Sequence, residues 1–242
     1  MFRHRQGRRV EKVPVIKLQR MNLVDYPEKI CAKVTIAGCN FRCPFCNQFD
    51  LVIKQHYRGI IPEREILYNL YDFKDTVSAV CIGGGEPTLH NGLVSLVYKI
   101  KSLGYSVKLD TNGTRYKRIN KLIEDGLVDY FTLDLKAPLD RYHEVVDVRA
   151  DVKSIEQTIK LLRTSNVPHE FRVTMVPGLV EKEDLEKIAL MIAGSRKLVI
   201  QTFKRSGNMC PEYNGVPPFT IDDLREFKKL VSHYFNECEI RF

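Results

Sequence analysis

The sequence predicts an α/β fold: a parallel sheet curled into a partial, TIM-like (β/α)6 barrel. Three observations carry this. Apolar, β-rich runs alternate along the chain with stretches of amphipathic 3.6-residue spacing, the pattern of strands joined by helical crossovers. A closed eight-stranded barrel usually needs about 250 residues, and the 242 residues here offer only six main strands. Polar and glycine-rich clusters recur where successive strands should end, the rim on which parallel barrels build their sites. A doubly wound sheet is the competing architecture, but the G-x-G-x-x-G fingerprint of its dinucleotide-binding version is missing after the first strand.

Taken in order, a basic stretch comes first. Residues 1–20 hold seven Lys and Arg against Glu11, so six of the eight net positive charges lie there. Clustered cations bind phosphate, yet a terminal run of this kind is commonly a solvated tail. The division is therefore a basic arm, 1–20, and one domain, 21–242. Val13–Leu18 carries a short strand signal, and residues 21–27 read as a loop closing on Pro27. Ile30–Ile36 is apolar and β-rich, a buried strand. Pro62–Tyr71 has helical spacing with its proline in the first turn. Then come a strand over Val77–Ile82, a helix near Gly92–Lys101, a strand over Ser106–Asp110, a helix over Lys117–Glu124 and a strand over Tyr130–Leu135. The alternation continues with a helix over Asp151–Thr164, a strand over His169–Val176, a helix over Glu183–Ile192 and a strand over Leu198–Phe203. A last helix over Ile221–Tyr234, capped by Thr220, precedes a short edge strand, Glu239–Phe242.

Composition narrows the class. With 44% hydrophobic and 28% charged residues, the chain reads as an ordinary soluble globule. No run of 18 apolar residues offers a membrane span, and the N-terminus lacks the apolar stretch of a secretory signal, which predicts the cytoplasm. Seven cysteines then read as metal or redox ligands rather than disulfides.

Cys39, Cys43 and Cys46 lie within eight residues at C-x3-C-x2-C spacing, entered from the Ile30–Ile36 run. Iron–sulfur clusters usually take four cysteine thiolates, and no fourth follows nearby. One iron is thereby left open, which suits a cluster that binds and reduces a small molecule. A structural zinc knot wants four closed ligands in paired units, and neither a second C-x2-C nor an H-x3-5-H occurs. Cys31 and Cys81 lie in apolar runs and read as core residues; Cys210 and Cys238 fall short of a ligand set.

The strand ends supply the rest of the candidate rim: Gly84-Gly85-Glu86-Pro87, Asp110-Thr111-Asn112-Gly113, Asp134-Leu135-Lys136, Arg172 through Val176-Pro177-Gly178, and Gln201 with Lys204. Each alone is an ordinary turn or strand end. Their repetition on one rim points to a site.

The three-cysteine loop with Phe45 before its last cysteine, together with Gly84-Gly85-Glu86-Pro87, Asp110-Thr-Asn-Gly113, Asp134-Leu-Lys136 and Val176-Pro-Gly178, resembles the radical S-adenosylmethionine (SAM) superfamily. The ordered set looks most like its glycyl-radical-enzyme activating branch, in particular the activating proteins of anaerobic ribonucleoside-triphosphate reductase. The resemblance spans residues 23–242. It implies one [4Fe–4S] cluster on Cys39, Cys43 and Cys46, with SAM on the open iron and reductive cleavage yielding a 5′-deoxyadenosyl radical. It also implies cofactor contacts from Phe45, Gly84, Gly85, Glu86, Asp110, Thr111, Asp134, Leu135, Lys136, Arg172 and Lys204, with a monovalent cation near Asp110. The catalytic chemistry would rest with the cofactors rather than with an acid or base. Glycines 84 and 85 would let backbone approach the SAM amino group. The implied partners are a glycyl-radical enzyme and an external electron donor such as flavodoxin or ferredoxin, with no role for a membrane or nucleic acid. Lys204 stands where related enzymes place a histidine. The rival readings are a radical SAM enzyme acting on a small molecule or nucleotide, as in the deazaguanine-forming branch, an RNA-directed protein using the basic arm, and a non-catalytic metal protein.

Overall fold

Eight strands form one sheet in chain order. The computed structural model describes residues 12–52, 59–205 and 211–242. Strand β1 (Val15–Asn22) runs antiparallel to β2 (Cys31–Ile36). From β2 onward every neighbouring pair is parallel: β3 (Ala79–Gly84), β4 (Ser106–Thr111), β5 (Tyr130–Leu135), β6 (His169–Met175), β7 (Lys197–Thr202) and β8 (Glu237–Arg241). Helices cross between them: α1 (Glu63–Phe73), α2 (Leu93–Ser102), α3 (Tyr116–Glu124), the short α4 (Tyr142–Val145), α5 (Val152–Thr164), α6 (Lys182–Met191), the short α7 (Pro211–Asn214) and α8 (Ile221–Val231). Six βα units from β2 to α8 make the expected partial TIM-like barrel. Among the described residues β1 and β8 do not pair, so the wall stays open on one side.

The helices start where their caps dictate. Asp151 accepts from the Ser154 N–H at the head of α5, and reciprocal boxes of Glu181 with Asp184 and of Thr220 with Asp223 open α6 and α8. Ile155, Ile159 and Leu162 then recur on one face of α5 and are buried. Burying a side chain of that size contributes roughly 1.5–3 kcal/mol.

The two faces of the sheet differ in kind. Val107, Leu109, Phe131, Leu133, Phe171 and Val173 pack outward in one apolar core with the helices. The alternate residues point into the barrel and are charged or polar. Lys108, fully buried, pairs with Asp110 at 2.5 Å. Arg172 meets Asp134 at 2.5 Å and Asp110 at 3.2 Å. Glu170, also fully buried, accepts from the Thr132 hydroxyl at 2.9 Å and from Arg241 at 3.0 Å. Cys31 and Cys81 lie buried below this network with their sulfurs 3.1 Å apart.

Several boundaries move. β1 continues to Asn22, which faces Cys31, so residues 21 and 22 are strand rather than loop. The arm boundary at residue 20 therefore falls inside a strand; residues 1–11 of that arm lie outside the described residues, as does Cys210. β8 starts at Glu237, two residues early, and α8 ends at Val231 before a 3-10 turn over Ser232–Tyr234. Among the described residues no helix is long and apolar enough to cross a membrane.

Candidate active site

The cysteine loop leaves β2 through Gly38, whose φ of 96° favours glycine. Its N–H donates to Leu51 O at 2.6 Å, and its carbonyl accepts from the Glu86 N–H at 2.6 Å. The Cys46 N–H closes a turn onto Cys43 O at 3.0 Å. Farther out, Phe41 packs against Tyr142 with ring centres 6.0 Å apart, and the Arg42 N–H donates to Val146 O at 2.9 Å. The guanidinium of Arg42 holds the carbonyls of Cys39 and Phe41 at 3.0 and 2.8 Å. Asn40 donates to the Thr114 hydroxyl at 3.0 Å and accepts from Asn112 at 2.9 Å. A loop with no regular structure is thus fixed to β3, to the segment after β4 and to the α4 region.

All three cysteines line a cavity of about 280 Å³. The structure brings Phe45, Gly84, Gly85, Glu86, Asp110, Thr111, Asp134, Lys136, Arg172 and Lys204 to its walls with Cys39, Cys43 and Cys46. Leu135 is the exception: its side chain is fully buried in the apolar core on the sheet's other face. Alternation along β5 requires this, since Asp134 already faces inward.

Glu86 acts differently from the expectation, and the glycines answer to a further constraint. The Glu86 carboxylate is completely buried and accepts from the Thr88 N–H at 3.0 Å, the Thr88 hydroxyl, the Thr111 hydroxyl at 2.7 Å and the Asn112 N–H at 2.6 Å. Four donors occupy it, so it ties the loop after β3 to the loop after β4 instead of presenting itself to a ligand. At Gly84 (φ 112°) a Cβ would lie 2.6 Å from Ile36 O, and at Gly85 it would lie 2.1 Å from Gly38 O. These positions must be glycine because the root of the cysteine loop presses on them.

Burial pushes the thiols up, Cys39 to about 11 and Cys43 to about 12, with Cys46 raised as well. The Lys136 ammonium works against that burial at Cys43 and Cys46 by favouring thiolate. Burial would also raise Asp110 and Asp134. Lys108 and Arg172 outweigh it at Asp110, and Arg172 and Lys136 at Asp134, so both carboxyls stay below the usual carboxylate range. The protein itself thus places positive charge against Asp110, through Lys108 and Arg172.

The donor set fits an iron–sulfur cluster. Three soft thiols on one loop line the cavity, while among the described residues no three His, Cys, Asp or Glu side chains converge as they would on a single ion. A cluster presents a separate iron to each thiolate, whereas zinc draws its ligands to one point. In the same wall the buried Gln48 Oε1 has no hydrogen-bond partner among the described residues, an acceptor left for a ligand's donor.

Sequence reasoning missed Asn40, Asp25, Lys33, Lys108 and Arg241. Asp25 and Lys33, paired at 2.5 Å, line the cavity together with Arg241. The signal was available: Lys33 and Lys108 are single charges inside apolar runs, which the sheet's alternation turns inward.

Comparison with known proteins agrees with this geometry. The profile described as Radical SAM superfamily matches residues 34–192. A protein of Methanocaldococcus jannaschii, provisionally named a glycyl-radical enzyme activating enzyme, is 34% identical over 226 residues, 91% of this chain and 92% of its own. The 7-carboxy-7-deazaguanine synthase of Aquifex aeolicus is 27% identical over 163 residues, 64% of this chain and 71% of its own. Among solved structures, Streptococcus suis SuiB bound to S-adenosylmethionine superposes with a TM-score of 0.66 at 17% identity, a likeness of fold. It covers 84% of this chain, which spans about half (48%) of that longer one.

Proposed function

The chain belongs to the radical SAM superfamily, and from that premise we propose that it installs a glycyl radical on a partner enzyme, an anaerobic ribonucleoside-triphosphate reductase. In this reading Cys39, Cys43 and Cys46 would hold a [4Fe–4S] cluster beside SAM, and the two together would supply one-electron cleavage of a sulfonium and so the means to take a hydrogen atom.

The chain's own residues do the holding. Gly84 and Gly85 keep one wall at backbone height. Asp134, Lys136 and Arg172 form a linked set of charges, two cations on one carboxylate, in the same cavity as the cysteines, suited to the ribose and the zwitterionic end of SAM. Phe45 offers an apolar face, Thr111 and Glu86 fix the wall behind it, and exposed Lys204 stands at the mouth. Hydrogen-atom transfer asks for no acid or base. The donor is the Cα of a partner glycine, reached through the open side between β1 and β8, and the electron comes from outside the chain, from a flavodoxin or ferredoxin.

The observation that carries this reading is the barrel interior. Most of its charges answer one another, Lys33 with Asp25, Lys108 with Asp110, Arg172 with Asp134 and Arg241 with Glu170, while Lys136 shares Asp134 at 3.5 Å, so it presents little uncompensated charge to a small polar substrate. The relative of M. jannaschii supports the same reading. The Aquifex relative favours the rival, a small-molecule reaction. Anaerobic reconstitution with reductant and SAM separates them. A glycyl doublet in the EPR spectrum of an added reductase is expected; deoxyadenosine formed only with a small molecule would overturn the reading.

A further inference from the structure

A second cavity, about 500 Å³, lies on the outer rim between the first turns of α3 and α5. Its walls carry Arg115, Lys117, Arg118 and Lys121 against one carboxylate, Asp151. That carboxylate is already engaged, accepting from the Ser154 N–H at 3.1 Å and the Ser154 hydroxyl at 2.8 Å. Arg118 holds the Thr88 carbonyl and the Asn91 side chain, and Lys121 pairs with Asp125 at 2.8 Å. Arg115 and Lys117 are exposed. The recess is therefore cationic in sum, and two of its cations face solvent.

Its position gives the charge a purpose. Thr114 lines this recess, and its hydroxyl accepts from Asn40, the residue after Cys39. One hydrogen-bonded pair of side chains separates the basic surface from the cysteine loop. A loop that works by one-electron chemistry needs a reductant from outside, and a cationic surface joined to that loop through Asn40 and Thr114 is where complementary charge would guide one.

We propose that this recess is the docking surface for an acidic one-electron carrier protein, a reduced flavoprotein or ferredoxin, delivering its electron past Asn40 and Thr114 to the cysteine loop. The proposal rests on the reading that Cys39, Cys43 and Cys46 hold a cluster. In the step the carrier loses one electron and the cluster gains it, with no bond or proton changing place. A nucleic acid is the other polyanion to weigh, since Lys and Arg clustered on one face suit it too, but the link from the recess to the cysteine loop through Thr114 and Asn40 favours an electron carrier.

The test uses the reconstituted full chain and its Arg115→Glu/Lys117→Glu variant, with Lys228→Glu/Lys229→Glu on α8 as a control of equal charge change. Calorimetric titration with a flavodoxin and with a ferredoxin reads affinity without requiring turnover. Reversal in the recess is expected to weaken binding roughly tenfold or more and to flatten its salt dependence. Carrier-driven SAM cleavage should slow in step, while dithionite-driven cleavage and iron content stay unchanged. The proposal is overturned if neither carrier binds the unaltered chain, if the control weakens binding as much as the recess variant, or if the recess variant loses affinity for a single-stranded RNA and not for the carriers. Failure of dithionite to cleave SAM in the iron-loaded chain would instead strike the cluster reading, and the titration would still report on the surface.

Discussion

The two faces of one sheet do opposite work. Outward, Val107, Leu109, Phe131 and Phe171 are fully buried against helices in an apolar core. Inward, on the same strands, Lys108, Asp110, Asp134 and Arg172 form ion pairs around the candidate site. Parallel strands covered on both faces usually read as continuous apolar runs; here the inner face departs from that, at the desolvation cost of every charge it holds. The difference teaches that the outer face contributes apolar packing and the inner face paired charge, so changes on the two faces should separate in experiment.

The largest separation should come from the loop. Cys43→Ala is expected to cut SAM cleavage by more than ~100-fold, beyond the loss usual for outer-shell metal partners, with iron analysis falling in parallel and the urea midpoint of the metal-free chain nearly unchanged. A midpoint shift as large as that of a core variant would break the comparison. Next, Phe171→Ala on the outer face should cost about 3–5 kcal/mol in urea unfolding, yet the folded fraction should bind SAM normally. Slightly smaller is Arg172→Met, which strands two buried carboxylates and should cost about 3 kcal/mol. Adding Asp110→Asn and Asp134→Asn should restore most of that stability without restoring SAM affinity, measured by equilibrium dialysis.

The smallest effect is on pH. Asp110 and Asp134 are held below their unfolded values, near 3.9, so their contribution is complete above that pH and is lost as acid carries the solution down through the folded values. Unfolding free energy should therefore decline below about pH 4, and Asp134→Asn should make the decline shallower. An unchanged slope would mean that the inner pairs contribute nothing to folding.

Much of this was legible in the sequence. Tyr130–Leu135 is the strand that periodicity outlines, and Thr220 is the cap of α8. The cysteine loop and the rim clusters reach one cavity, as their recurrence at strand ends implies. What stayed hidden had a physical reason in each case. β8 was legible as a short edge strand, but its first two residues, Glu237 and Cys238, were not, because Glu-Cys-Glu-Ile-Arg lacks an apolar run. α4 is four residues long, too short for periodicity, and is held by contacts with the cysteine loop. Asn40 looks like loop filler until Asn112 and Thr114, more than seventy residues away, are brought beside it. Leu135 sits in a functional-looking tripeptide, yet the pleat turns it away.

The gap between β1 and β8 has a consequence for how the chain must be handled. Each outermost strand, among the described residues, is paired along one margin only, and a bare margin is a template on which a stray strand from another copy could grow into fibrils. Lys17 and Arg20 on β1 set like charges against the same margin of a second copy. Strong brine would mute that repulsion, so self-association should set in first in concentrated salt and recede on dilution.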